Sequence, residues 1–296
     1  MQRKQQLRSK AVTLSDIKAQ RARFFIFFSM FVVLTFVFLQ NSFANILETT
    51  FSKSDKTSEI KVDNSLWNKL LKQYVTDGPD RLNVVDYAAF KKNGHNDLKA
   101  YVALLESTDV AALNRKEQYA FWLNLYNAKT IDVVLDHYPT NSIRDIDISP
   151  GLFSDGPWGK KVTKVNGVDL SLDDIEHNIL RKLWNDPRVH YGVNCASIGC
   201  PNLAREAYTG DLLDVQLNKS AIDFVNSPRG VRIDNGNITV SKIYRWFKVD
   251  FGSSESNTLK HIRKYAKPDL KAALHRKTRI YNYEYDWALN NVKSGT

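Results

Sequence analysis

Two cysteines, Cys195 and Cys200, follow His190 at intervals of five residues, and a Glu176-His177 pair stands on the segment before them. These are the residues whose types and spacing could do chemistry. The stretch Asp186–Pro201 holds both cysteines of the chain and four Gly or Pro residues. Val189, Tyr191 and Val193 alternate with His190, Gly192 and Asn194, the pattern of a short strand. The Ala, Ser, Gly and Pro residues that follow favour a loop. A thiol and an imidazole delivered into a small-residue loop suit a nucleophilic site, and equally a buried structural turn.

Three chemistries compete for these residues. The first is a cysteine-dependent hydrolase or transferase acting on a peptide- or amide-like substrate. A nucleophilic thiolate needs a nearby imidazolium or a helix N-terminus. Cys200 precedes Pro201, which can open a helix. Strand alternation would turn His190 away from Cys195, so His177 or a sharp loop would supply the base, oriented by Glu176 or Asp173. The catalytic candidates are Cys195, His190, His177 and Glu176. The second is a Cys195–Cys200 disulfide, closing a short loop for about 2 kcal/mol. The domain would then be non-catalytic, with Glu176, His177, Arg181 and His190 as a polar cluster for a small-molecule, anionic or peptide ligand. The third is a metal site. Adjacent helical side chains such as Glu176 and His177 diverge by roughly 100°, and zinc wants three or four ligands. No metal is assigned, and no nucleotide or phosphate-loop fingerprint implies a cofactor.

The elements that position these residues are mostly helical. Residues 115–136 form the strongest helix, capped by Asn114 with Glu117 in the third position. It is apolar nearly all round, except for a stripe of Glu117, Ala120, Asn124, Asn127, Ala128 and Ile131. Buried amides need partners, and a loop backbone is the favoured one over a polar cleft. Glu117, Asn124, Asn127 and Arg181 are the binding candidates. Ser171, with Asp174, caps a helix over residues 171–184 whose apolar face is Leu172, Ile175, Ile179, Leu180 and Leu183. Glu176 falls within that face, and a carboxylate there must be paired or carry a raised pKa. Further helices are expected at Trp67–Tyr74, Leu98–Leu105, 211–226, 243–247, 256–266 and after Pro268. Asn166-Gly167 and Asn235-Gly236 mark two hairpins. Trp246, Phe247 and Trp287 read as core. The expected fold is α+β: a predominantly helical single domain over 64–293, with two β-hairpins and a short strand.

A hydrophobic leader precedes this domain. Residues 24–39 carry no charge and follow a segment rich in Lys and Arg. Ser42-Phe43-Ala44 offers small residues for a signal-peptide cleavage site. Sixteen uncharged residues are long for a signal core and short for a spanning helix of about 20. Residues 1–44 therefore read as a signal peptide or a signal-anchor held in the inner membrane. Both readings export the rest, to the periplasm or its equivalent, where cysteines can oxidise. Residues 45–63 read as a polar linker. The net charge of +10 includes seven Lys/Arg against one acid within residues 1–44. The remainder lacks the basic footprint of a nucleic-acid binder.

Several separated motifs also resemble a known family. These are Ala120–Ala128, Leu172–Arg181, Asp186–Tyr191, Cys195 through Cys200-Pro201, and Tyr285-Asp286-Trp287. They are similar to the domain of unknown function family 547, over roughly residues 65–292. The resemblance implies that Glu117, Asn124, Asn127, Glu176, His177, Arg181, His190, Cys195 and Cys200 match the family pattern. It implies no reaction and no role for any of them.

Overall fold

The computed structural model describes residues 45–151 and 155–292. The leader, residues 1–44, lies outside the described residues. The chain divides after Leu47, and the fold below is that of the second unit. Among the described residues no helix is long and apolar enough to cross a membrane.

The fold is α+β, and the expected helices form close to where periodicity puts them. Ser65–Tyr74 buries Trp67, Leu70, Leu71 and Tyr74. Leu213–Val225 buries Leu213, Leu217, Ala221, Phe224 and Val225. Both stripes are the i, i+3, i+4 pattern that makes a helix bury one face. The Arg115–His137 helix is different: every residue from Glu117 to Leu135 is buried. It is the axis around which the other elements pack.

The strands are short. β1 (Val75–Asp77) pairs with β2 (Asn83–Val85), and β3 (Lys161–Val165) with β4 (Val168–Ser171), both antiparallel. β5 (Val231–Asp234) and β6 (Asn237–Ser241) form the second expected hairpin. In both Asn-Gly turns the two central residues have positive φ, at 47° and 80° for Asn166-Gly167 and at 50° and 79° for Asn235-Gly236. Such turns match the right-handed twist of their strands. β7 (Asn282–Glu284) adds to β6 in parallel, a long-range pairing with no local signal.

Two local expectations are corrected. Val189–Gly192 is a single helical turn, not a strand. The Asp186 side chain accepts from the Arg188 N–H at 2.9 Å, and Pro187 presets the φ that starts a helix. Cap and proline outweigh three alternating residues. Pro201 opens no helix. The Asn194 amide donates to the Pro201 carbonyl at 2.7 Å, and Asn202 accepts from the Asn83 N–H at 2.8 Å. Side chains from elsewhere thus draw the segment out. Within residues 45–63, two backbone carbonyls accept from side chains at the start of the long helix. Gln118 donates to the Lys53 carbonyl at 2.6 Å, and Asn114 donates to the Ser58 carbonyl at 2.9 Å.

Candidate functional site

The polar stripe of the long helix grips backbone. Glu117 accepts from the N–H groups of Val62 and Gly210, at 3.0 and 2.8 Å. Asn124 both accepts from and donates to the Tyr208 backbone, at 2.9 and 2.8 Å. Asn127 donates to the Gly192 carbonyl at 2.9 Å and accepts from the Asn194 N–H at 2.8 Å. The structure thus places these three binding candidates on loop backbone, in line with the common fate of side-chain hydrogen bonds. Glu117 does not complete its capping box. Its own N–H donates to the Asn114 side-chain oxygen, but its carboxylate goes to the other two segments.

The grip of Asn127 matters because it holds the cysteine loop. Asn194 closes that loop on itself, accepting from the Ala196 N–H at 2.9 Å. Ala196 stands at a φ of 59°, a conformation costly for any residue with a Cβ and persistent only where surroundings over-determine it. The C-terminal segment supplies the other side. Ile198 and Gly199 donate to the carbonyls of Ala288 and Asp286, each at 2.8 Å. The Cys195 and Cys200 sulfurs meet as a disulfide pair with Cα atoms 6.3 Å apart, and no free cysteine stands among the described residues. The Tyr285 hydroxyl lies 3.0 Å from the Cys195 sulfur and 3.2 Å from that of Cys200.

Beside the cystine lies a cavity of about 200 Å³. Of the catalytic candidates Cys195, His190, His177 and Glu176 all line it. The four binding candidates Glu117, Asn124, Asn127 and Arg181 do not. Most of its remaining wall is aromatic, with Trp158, Trp246, Phe247, Tyr285 and Trp287 beside Val193, Pro201 and Ile243. Trp246, Phe247 and Trp287 were expected in the core. Trp246 is instead 46% exposed. The Tyr285 ring lies 4.8 Å from that of Trp246 and 4.6 Å from that of Trp287, so the three form one wall, not a sandwich.

The polar wall comes from residues 171–184. Ser171 and Asp174 do close the expected capping box, each accepting from the other's N–H at 2.8 to 3.1 Å. The turns that follow are wider than α: Asp174–Leu180 is a π-helix, and Arg181 donates its N–H to the Glu176 carbonyl five residues back. Such turns recur at functional sites. Asp173, Glu176 and His177 all line the one cavity.

Hydrogen bonding fixes the proton positions in this wall. Asp250 accepts two bonds from Arg181, at 2.6 and 3.1 Å, and pairs with His190 Nε2 at 2.7 Å. Burial would raise the Asp250 pKa, but His190 and Arg181 hold it well below the usual carboxylate range. An ionised carboxylate only accepts, so Nε2 carries the hydrogen. Burial pushes the His190 pKa down despite Asp250, so the ring is neutral at pH 7 and Nδ1 is a lone pair. That Nδ1 lies 3.8 Å from Glu176 Oε1. Arg181 also reaches His177 Nδ1, at 3.3 Å. A guanidinium only donates, so this Nδ1 is a second acceptor. It lies 3.9 Å from the same Glu176 oxygen. Glu176, itself buried, therefore faces two imidazole lone pairs. The Tyr126 hydroxyl, its pKa raised by burial and by this carboxylate, bonds to Glu176.

Metal-binding geometry is weak in the described residues. His95, Asp132 and Asp136 converge away from the cavity, but Lys129 lies 2.7 Å from Asp132 and Lys99 lies 3.0 Å from Asp136. Two ammonium groups already neutralise the carboxylates, so the cluster reads as an ion-pair network.

Sequence reasoning missed Asp250, Tyr285 and the tryptophans as site residues. The Tyr285-Asp286-Trp287 motif was noted without a place for it. Asp250 sits in a loop with no pattern of its own.

A family model described as "Protein of unknown function, DUF547" matches residues 110–225. That segment holds the stripe, the π-helix and the cysteine loop, and leaves out Asp250, Tyr285 and two of the tryptophans. No curated protein and no solved structure matches the chain.

Proposed function

We propose that this is an exported ligand-binding domain whose cavity takes a small molecule or peptide end, with the Cys195–Cys200 cystine as part of the wall. The carrying observation is the cavity itself, in which a buried carboxylate and an aromatic wall face each other beside two sulfurs that occupy one another. Few converging polar groups in a mainly aromatic cavity is the usual composition of a ligand site. The basic, then uncharged leader supports export, where a cystine persists. A ligand-observed NMR screen of small amines, acids, amides and sugars against the full-length protein tests this reading. Hits that vanish on Trp246→Ala, an exposed substitution, are expected. A screen with no hit sensitive to Trp246 would overturn it.

A second reading is a cysteine-dependent hydrolase or transferase acting on peptide- or amide-like bonds. It is favoured by His190, which lines the cavity with both cysteines and is held by Asp250 behind it. An imidazole oriented by a carboxylate is the arrangement that activates a thiol. Alkylation and mass measurement without reductant separates the two. Neither cysteine reacting before reduction supports the binding domain. One cysteine reacting rapidly at neutral pH supports the enzyme and names its nucleophile.

A further inference from the structure

The inner end of the cavity holds more acceptors than donors: the Tyr126 hydroxyl bonds to Glu176, and His177 Nε2 lies 3.5 Å from Asp173. Glu176 Oε1, His190 Nδ1 and His177 Nδ1 are three acceptors within 3.9 Å of the carboxylate oxygen. Asp173 adds a second carboxylate to the same wall. A group that satisfies this set must donate several hydrogens and carry positive charge, as an ammonium does. The aromatic wall opposite also attracts a cation through its ring faces.

The outer end has the opposite sign. A second cavity of about 530 Å³ shares Trp158, Trp246 and Trp287 with the first, and Lys242, Arg245 and Arg144 line it. Arg144 is paired with Asp155. Among the described residues no carboxylate pairs with Lys242 or Arg245. The tryptophans thus connect an acidic, donor-poor inner end to a basic outer shelf.

We propose that the cleft binds a short peptide or peptide-like zwitterion, its ammonium group at Glu176 and its carboxylate at Lys242 and Arg245, with the apolar part against Trp246 and Trp287. This rests on the ligand-pocket reading above and names its ligand class. The two ends contribute unequally. The ammonium is bound in a buried site, where a charge-assisted bond counts for much. The carboxylate meets exposed side chains, where ion pairs count for little and are screened by salt.

The test uses the full-length protein and alanyl-phenylalanyl-alanine in four forms: free, N-acetylated, C-amidated and blocked at both ends. Tryptophan fluorescence reads the affinity. The free peptide should bind tightest. Acetylation should weaken it by about tenfold or more, and amidation by a few-fold, the latter loss fading at high salt. Glu176→Gln should abolish the penalty for acetylation. Because that position is buried, Lys242→Ala and Arg245→Ala on the exposed shelf provide the second check, and should abolish the penalty for amidation. Equal binding of the four forms, tighter binding of a blocked form, or no binding of any form overturns the zwitterion. In each case Trp246-sensitive hits of another chemistry in the NMR screen would leave the ligand pocket standing.

Discussion

Asn127 contributes most at the residue scale, because one buried amide satisfies both a carbonyl and an N–H of the segment leading to the cysteines. Asn127→Ala strands two buried backbone groups, and each such loss costs about 1–3 kcal/mol. Urea unfolding should show a loss of about 2–4 kcal/mol. A loss below about 0.5 kcal/mol, the ordinary surface range, would mean the grip contributes little. The histidines set the pH dependence. Burial pushes the pKa of His190 down, and that of His261 down to about 4. Unfolded, each titrates near 6.5. Below that value the unfolded chain takes up protons that the fold refuses, so acidification destabilises the protein. For His261 the loss spans pH 6.5 to about 4 and amounts to at most about 3 kcal/mol. Urea midpoints should fall between pH 7 and 4.5, less steeply in His261→Gln. An unchanged slope in that variant would assign the effect elsewhere.

At the scale of elements, the cysteine loop is held between the long helix and the C-terminal segment. Gly199 shows how closely the second partner approaches. A Cβ there would lie 2.8 and 2.9 Å from the Asp286 backbone N and O, inside any real contact. Gly199→Ala should therefore push away the segment that carries Tyr285 and Trp287, quenching neither cysteine's pairing but weakening ligand binding. Stability loss with unaltered affinity would show that the loop alone builds the cavity. The cystine itself closes only a short loop, so replacing both cysteines by serine should cost about 2 kcal/mol. The π-helix belongs to this scale too. Glu176 and His177 stand three and four positions after Asp173, the spacing that puts side chains on one helical face, and all three line the cavity.

For the whole molecule, the family match ends at residue 225 while the architecture does not. The core around Tyr191, Phe224 and Val225 is completed by Val240, Tyr244, Phe251 and Ile262. Asp250 orients His190 from the same region. A fragment of residues 110–225 should accordingly lack a cooperative urea transition, and the full chain should have one. A sharp transition in the fragment would show that the later elements are an addition, not part of one folding unit.

The sequence by itself determined the local elements and the chemistry on offer. Periodicity placed the buried faces of Ser65–Tyr74 and Leu213–Val225, because a helix exposes its sides at a fixed angle. Asn-Gly placed both hairpins, because few residue pairs accept two positive φ values. The misfit of Glu176 on an apolar face marked a carboxylate that needs partners, since burial of an unpaired charge is costly. Val189–Gly192 was misjudged as a strand because three alternating residues weigh less than a proline and its cap. Only the tertiary structure decided which candidates share the cavity. Asn124 and Asn127 face backbone, and Trp246 and Trp287 leave the core, because each outcome depends on segments distant in sequence. The same distance hid Asp250, whose role exists only once His190 and Arg181 are brought against it.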